Sequence, residues 1–218
     1  MVTIFISHSK KDVELVKVID LNLRNVGIAP ILREFTPESK PPYADIDADI
    51  SRSDAVFAFL TQNVKVTDHT QNWVTHEITK AHDLNKPTYI IEDRNNPVHF
   101  PIPKLRNYIL YDQTSIRDWI LIQNIASSIK RNEEIWLGAL AAGAAGVLLF
   151  KRNRIAGFLG GAALGGILLA LTSPEAQLRT PAAIECDKCG IVFNLYTNLN
   201  LDCLHCPSCR TMLSLISK

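Results

Sequence analysis

Cysteine is absent from the first 185 residues of this 218-residue chain, and all five cysteines fall between positions 186 and 209. That distribution excludes a disulfide framework spread through the fold. Pairs spaced Cys-x-x-Cys instead point to metal thiolates, which need a reducing compartment. An excess of charge of either sign is also missing, since 23 Lys and Arg stand against 22 Asp and Glu. With a net charge of +1 there is no electrostatic footprint for nucleic acid, and none is expected as a partner. The amino terminus lacks a basic start and an early apolar stretch, so no signal peptide is expected.

Charge is scarce a second time over 135–172, where Lys151, Arg152 and Arg154 alone interrupt an apolar, glycine-rich stretch. Three composition regimes follow. Residues 1–131 are charged and mixed in pattern, 135–172 are apolar, and 184–218 carry the cysteines, with 173–183 as a linker. Each regime is read as a module.

The first module alternates between two periodicities. Apolar strand signals fall at 3–7, 29–32, 55–61, 88–92 and 108–111, and helical patterns at 11–26, 43–53, 71–85 and 115–131. Gly27 is placed to close the first helix. Alternating β and α segments with apolar strands predict a flavodoxin-like α/β fold, a parallel sheet with helices on both faces. Ligands in such folds bind in loops at the carboxyl ends of strands.

Two segments carry the chemistry. Ile4-Phe-Ile-Ser-His-Ser-Lys-Lys-Asp12 runs from a strand into a polar loop, and Trp73-Val-Thr-His-Glu77 lies in a predicted helix. Trp73 and Glu77 are four residues apart and share one helix face. Val74, Ile78 and Ala81 form a different stripe, suited to packing on a sheet. Glu77 is therefore expected to turn away from the core stripe, beside an aromatic ring. A lone helical Glu is ordinarily a solvated residue.

Residues 3 to about 130 resemble a TIR domain of the bacterial and archaeal NAD-cleaving type. The opening strand and loop, Gly27, Ile50-Ser-Arg-Ser-Asp-Ala-Val-Phe-Ala-Phe-Leu-Thr61, Asn72-Trp-Val-Thr-His-Glu-Ile78 and Lys86-Pro87 occur in the family's order. The loop after the second strand departs from the commoner glycine-containing form and reads Glu38-Ser-Lys-Pro-Pro42. The resemblance implies cleavage of NAD at the nicotinamide–ribose bond, in stress or antiviral defence. Glu77 would be the carboxylate that steadies an oxocarbenium-like transition state. Ser7, His8 and Ser9 would line the nucleotide pocket, and Trp73 would be either a substrate contact or a packing residue. Water as nucleophile yields ADP-ribose, and attack from within the same nucleotide yields a cyclic product. The family also contains adaptors that act only through TIR–TIR contacts, so a non-catalytic membrane-tethered adaptor is the alternative reading.

Two uncharged runs, 135–150 and 155–172, would span about 24 and 27 Å as helices, against a hydrocarbon core of roughly 30 Å. Gly157, Gly161 and Gly165 repeat every four residues, as do Gly138, Ala142 and Gly146, a spacing that lets helices approach closely. A transmembrane hairpin that promotes self-association is expected, with both end modules in the cytoplasm. The basic cluster at the turn runs against the positive-inside tendency, and a soluble cytoplasmic oligomer is the alternative.

Cys186-Asp-Lys-Cys189 and Cys206-Pro-Ser-Cys209 match a four-cysteine zinc ribbon, a small β module built on a structural Zn2+. Cys203 also forms a Cys-x-x-Cys with Cys206, which leaves a shifted ligand set open. A module of under 40 residues has too little core without metal. A protein is the expected partner of the ribbon, if it has one.

Overall fold

The computed structural model describes residues 1–33, 43–66, 68–98, 102, 104–130, 181–197, 201 and 203–214. Residues 1–123 and 179–218 fold as one compact unit. Residues 124–178 form a second, of which 124–130 are described and helical. The expected hairpin over 135–172 lies outside the described residues. Among those residues no helix is long and apolar enough to cross a membrane.

Five parallel strands build the centre of the first unit: β1 (Thr3–Ser7), β2 (Ala29–Ile31), β3 (Ala55–Leu60), β4 (Thr88–Asp93) and β5 (Asn107–Tyr111). Their order is β2-β1-β3-β4-β5, with the parallel registers Ile4↔Ala55, Val56↔Thr88 and Tyr89↔Asn107. This is the flavodoxin-like order. Every residue of β3 is buried, as a central strand covered on both faces requires.

The helices are α1 (Val13–Asn25), α2 (Tyr43–Arg52), α3 (Gln62–Val66), α4 (Asp68–Asp83) and α5, helical over 116–130. Phe5, Val56, Ile46, Ile50 and Ala81 form one cluster, so α2 and α4 cover one face of the sheet. On the opposite face Trp119 of α5 meets Tyr111 edge-on, with centroids 5.5 Å apart. Gln123 of α5 also donates to Asn22 of α1, at 2.8 Å to its side-chain oxygen. Each fully buried Phe or Ile contributes about 1.5–3 kcal/mol. Gly27, at φ +73°, ends α1 as expected: its N–H donates to the Arg24 carbonyl at 2.9 Å.

Two elements differ from the sequence reading. A short helix, α3, precedes α4, and α4 begins at Asp68 where the pattern places a start near 71. The polar residues Gln62, Asn63 and Lys65 obscure the single buried residue of α3, Val64. More consequentially, the cysteine-bearing segment does not form a sheet wholly its own. Its strands are β6 (Ala182–Glu185), β7 (Val192–Tyr196), β8 (Cys203–His205) and β9 (Met212–Ser214). β7 pairs in parallel with β5, and β6 pairs antiparallel with β7, so the main sheet has seven strands. Among the described strands, β8 and β9 pair apart from that sheet.

Candidate functional site

Glu77 is 5 % exposed. Val74, Ile78 and Ala81 of the same helix are buried as the apolar stripe predicts, and Glu77 is buried with them. This corrects the expectation that it turns away from the core. On a helix that packs on the sheet and also against α2, adjacent rows are both covered, and one-helix periodicity does not see α2. Burial pushes the Glu77 carboxyl up from 4.5 to about 7, and the nearby Ser7 hydroxyl opposes that shift. Ser7 closes β1, is 1 % exposed, and its Oγ has no partner in hydrogen-bond geometry among the described residues. A carboxyl poised near neutrality and an unspent buried hydroxyl thus lie together at the carboxyl end of the first strand. Perturbed groups in that position mark functional sites.

The other residues singled out in the sequence are spread around this pair. Ser9 is buried, and its Oγ accepts from the Lys11 N–H at 3.3 Å while its carbonyl accepts from the Asp12 N–H at 2.9 Å. Its polar groups therefore shape the entry into α1. His8 Nδ1 lies 3.0 Å from the Ile6 carbonyl oxygen, and the residue lines a cavity of about 440 Å³ with Lys10, Lys17 and Arg33. Trp73 stacks on Tyr43, with centroids 4.0 Å apart and planes 25° from parallel, and packs on the Phe5–Ile46–Ile50 cluster. Of its two expected roles, packing is the one these contacts display. His76 bonds Asp47 at 2.9 Å, and Lys80 bonds the same carboxylate at 2.8 Å, so α4 is pinned to α2.

Several contributors escaped the sequence reading. The buried Asp12 carboxylate accepts from Thr61 Oγ1 at 2.6 Å and from Asn63 Nδ2 at 2.5 Å, which ties the β1 loop to the β3 loop. Asp49, 1 % exposed, binds both Arg33 and Arg52. It thereby holds Arg33 at the rim of the basic cavity. Nothing in periodicity marks these carboxylates as buried, because all their partners but Arg52 lie 16 to 51 residues away. Asp49→Asn is expected to cost about 1–2 kcal/mol, low for a buried ion group because both guanidiniums keep some solvent. A shift in the urea midpoint at constant slope is the check.

The second constellation is the cysteine cluster. The Sγ atoms of Cys186, Cys189, Cys206 and Cys209 all lie within 4.8 Å of one another. Cys186 and Cys209 are 3.5 Å apart, and Cys189 and Cys206 3.8 Å apart. A zinc–sulfur bond of about 2.3 Å in a tetrahedron gives a sulfur–sulfur edge of about 3.8 Å, so the donor set fits that ion. The two knuckles share one hydrogen-bond scheme. Gly190 N–H donates to the Cys186 carbonyl and Arg210 N–H to the Cys206 carbonyl, each at 2.8 Å. Both turn residues have positive φ, +67° at Gly190 and +63° at Arg210. The Thr211 hydroxyl lies 3.4 Å from Cys209 Sγ and, with its backbone amide, pulls that thiol down to about 6. Cys203 is exposed on β8 and stands outside the cluster, so the shifted ligand set is not the one assembled.

The family profile described as TIR domain matches residues 4–120. A search of curated proteins returns no match.

Proposed function

Because the chain belongs to the TIR-domain family, we propose that it cleaves NAD at the nicotinamide–ribose bond, with Glu77 as the catalytic carboxylate. The family includes NAD-cleaving enzymes, and TIR domains commonly self-associate. The observation that carries the reading is the burial of Glu77 beside the unpartnered Ser7 hydroxyl at the end of β1. Buried Asp49 is paired with two guanidiniums, whereas Glu77 is held dry with no cation among the causes of its shift. A carboxyl kept at that cost is a candidate for work on a ligand.

In this mechanism the C1′–N bond breaks and its electron pair leaves with nicotinamide, which departs neutral from a pyridinium. Positive charge then grows on the ribose, and the ionised Glu77 stabilises it in a site where the dielectric is low. Water attacks C1′ and releases a proton, giving ADP-ribose, or a group of the same nucleotide attacks and gives a cyclic product. Ser7 would hold a ribose hydroxyl. Lys10, Lys17 and Arg33 would supply positive charge for the pyrophosphate along the cavity that they line with His8 and Asp20. The four cysteines hold a structural Zn2+, and residues 135–172 gather chains at a membrane so that activity rises with self-association.

The test is NAD turnover by the full chain in liposomes, with products resolved by chromatography. Nicotinamide release is the expected result. Silence that persists after forced clustering would move the reading to a TIR adaptor. Replacing Gly157, Gly161 and Gly165 with Leu is expected to disperse the assembly and lower turnover several-fold. Unchanged assembly size and rate would refute the role of the glycine spacing.

A further inference from the structure

We infer that metal occupancy at the four cysteines governs the β5 side of the α/β sheet and, through a shared core, the seating of the helix that carries Glu77. The inference goes beyond NAD cleavage and rests on the metal assignment.

Among the described residues the cysteine segment shares its core with the α/β sheet. Its buried apolar side chains Phe193, Leu195, Leu204 and Leu213 belong to one cluster with Val74 and Ile78 of α4, Ile90 of β4 and Tyr108 of β5. Tyr108 meets Phe193 edge-on, with centroids 6.1 Å apart. Tyr89 of β4 meets Tyr196 at 5.9 Å. Backbone pairing runs through Asn107↔Asn194, Tyr108↔Leu195 and Ile109↔Tyr196. The side chains of that first pair also bond, Asn194 Nδ2 donating to Asn107 Oδ1 at 3.1 Å.

The join between β5 and β7 spans 87 residues of sequence, and closing so long a loop costs chain entropy that three paired residues offset poorly. A metal ion changes that balance. It staples β6–β7 to β8–β9 through one tetrahedron, so the segment docks as a single preformed body. Without it, four sulfur atoms crowd together with no cation between them. The segment then loses its own cross-link, and β5 is left with unpaired backbone groups. Phe193, Leu204 and Leu213 leave the cluster that backs Val74 and Ile78, three residues before and one after Glu77. Coupling of this kind is reciprocal: whatever the metal contributes to the sheet, the sheet contributes to metal affinity.

Hydrogen exchange on the full chain tests this without reference to activity. Compare zinc-loaded protein, the same protein after chelation, and the chelated protein with zinc restored. Amides of 107–111 and 74–81 are expected to exchange at least ten-fold faster without metal and to recover with zinc. Faster exchange confined to 182–214 would overturn the coupling. By reciprocity, Tyr108→Leu, which removes the edge-on contact with Phe193 and no metal ligand, is expected to weaken zinc affinity at least ten-fold in a chelator competition. Unchanged affinity in that variant would also overturn it. Zinc content measured first separates the premise from the inference. A chain that retains no zinc removes the metal assignment, whereas bound zinc with unchanged exchange removes only the coupling.

Discussion

Glu77→Gln is expected to abolish nicotinamide release while making the protein more stable at pH 8. The two effects have one cause. In the unfolded chain the carboxyl titrates near 4.5, and in the fold burial moves it to about 7. Between those pH values the native state keeps a proton that the unfolded chain has released, so stability falls as pH rises from 4.5 to 7. Above 7 the full deficit remains, up to about 3 kcal/mol for a shift of this size. Glutamine carries no charge and has no such deficit. Its melting temperature is expected to exceed that of the native chain by roughly 6–12 °C at pH 8, and to match it near pH 4.5. On the chemical side, the developing ribose cation loses its counter-charge, and turnover is expected to fall at least ~100-fold. If Glu77 is the catalytic carboxylate as proposed, turnover by the native chain is expected to rise as pH passes about 7, where that carboxyl ionises. Melting curves at the two pH values, run beside the turnover assay, decide the matter. Equal melting differences at both would show that the carboxyl is not held dry, and an active Gln variant would remove Glu77 from catalysis.

Cys206→Ser is expected to abolish stable zinc binding, whereas Cys203→Ser leaves it intact. The two residues begin overlapping Cys-x-x-Cys spacings, and the sequence alone offers both. Cys206 is 1 % exposed, with Sγ 3.8 Å from that of Cys189, whereas Cys203 is exposed on β8. Serine replaces a soft thiolate with a weak hydroxyl ligand and leaves three sulfurs. Structural zinc in small domains contributes on the order of 10 kcal/mol at neutral pH, so losing one ligand lowers affinity by several orders of magnitude. Zinc stoichiometry measured on both variants is the check. Cys206 belongs to both possible sets, so zinc lost from Cys203→Ser as well would establish the shifted one.

The parts of this fold that local sequence controls were legible in advance. The five central strands and their helices follow from periodicities of two and 3.6. The end of α1 follows from Gly27, where a positive φ suits a residue without Cβ. The Cys-x-x-Cys pairs follow from the reach of a knuckle. Each of these signals is contained within a few residues, so no knowledge of distant partners was needed.

What lay beyond local reach was read less well. Strand composition says that Val192–Tyr196 is extended, but not that its partner is β5, because backbone pairing carries almost no residue code. The helical wheel of α4 locates an apolar stripe, yet whether the next row meets solvent or a second helix depends on where α2 packs. Asp12 and Asp49 look like ordinary surface acids until the fold brings Thr61 and Asn63 to the one and Arg33 to the other. The sequence by itself therefore determined the α/β architecture, the TIR resemblance and the Cys-x-x-Cys pairs, since those rest on short-range pattern and spacing. Only the tertiary structure decided that Glu77 is buried and that the cysteine segment completes the sheet. Both depend on desolvation and contacts between segments far apart in the chain, which local pattern does not encode.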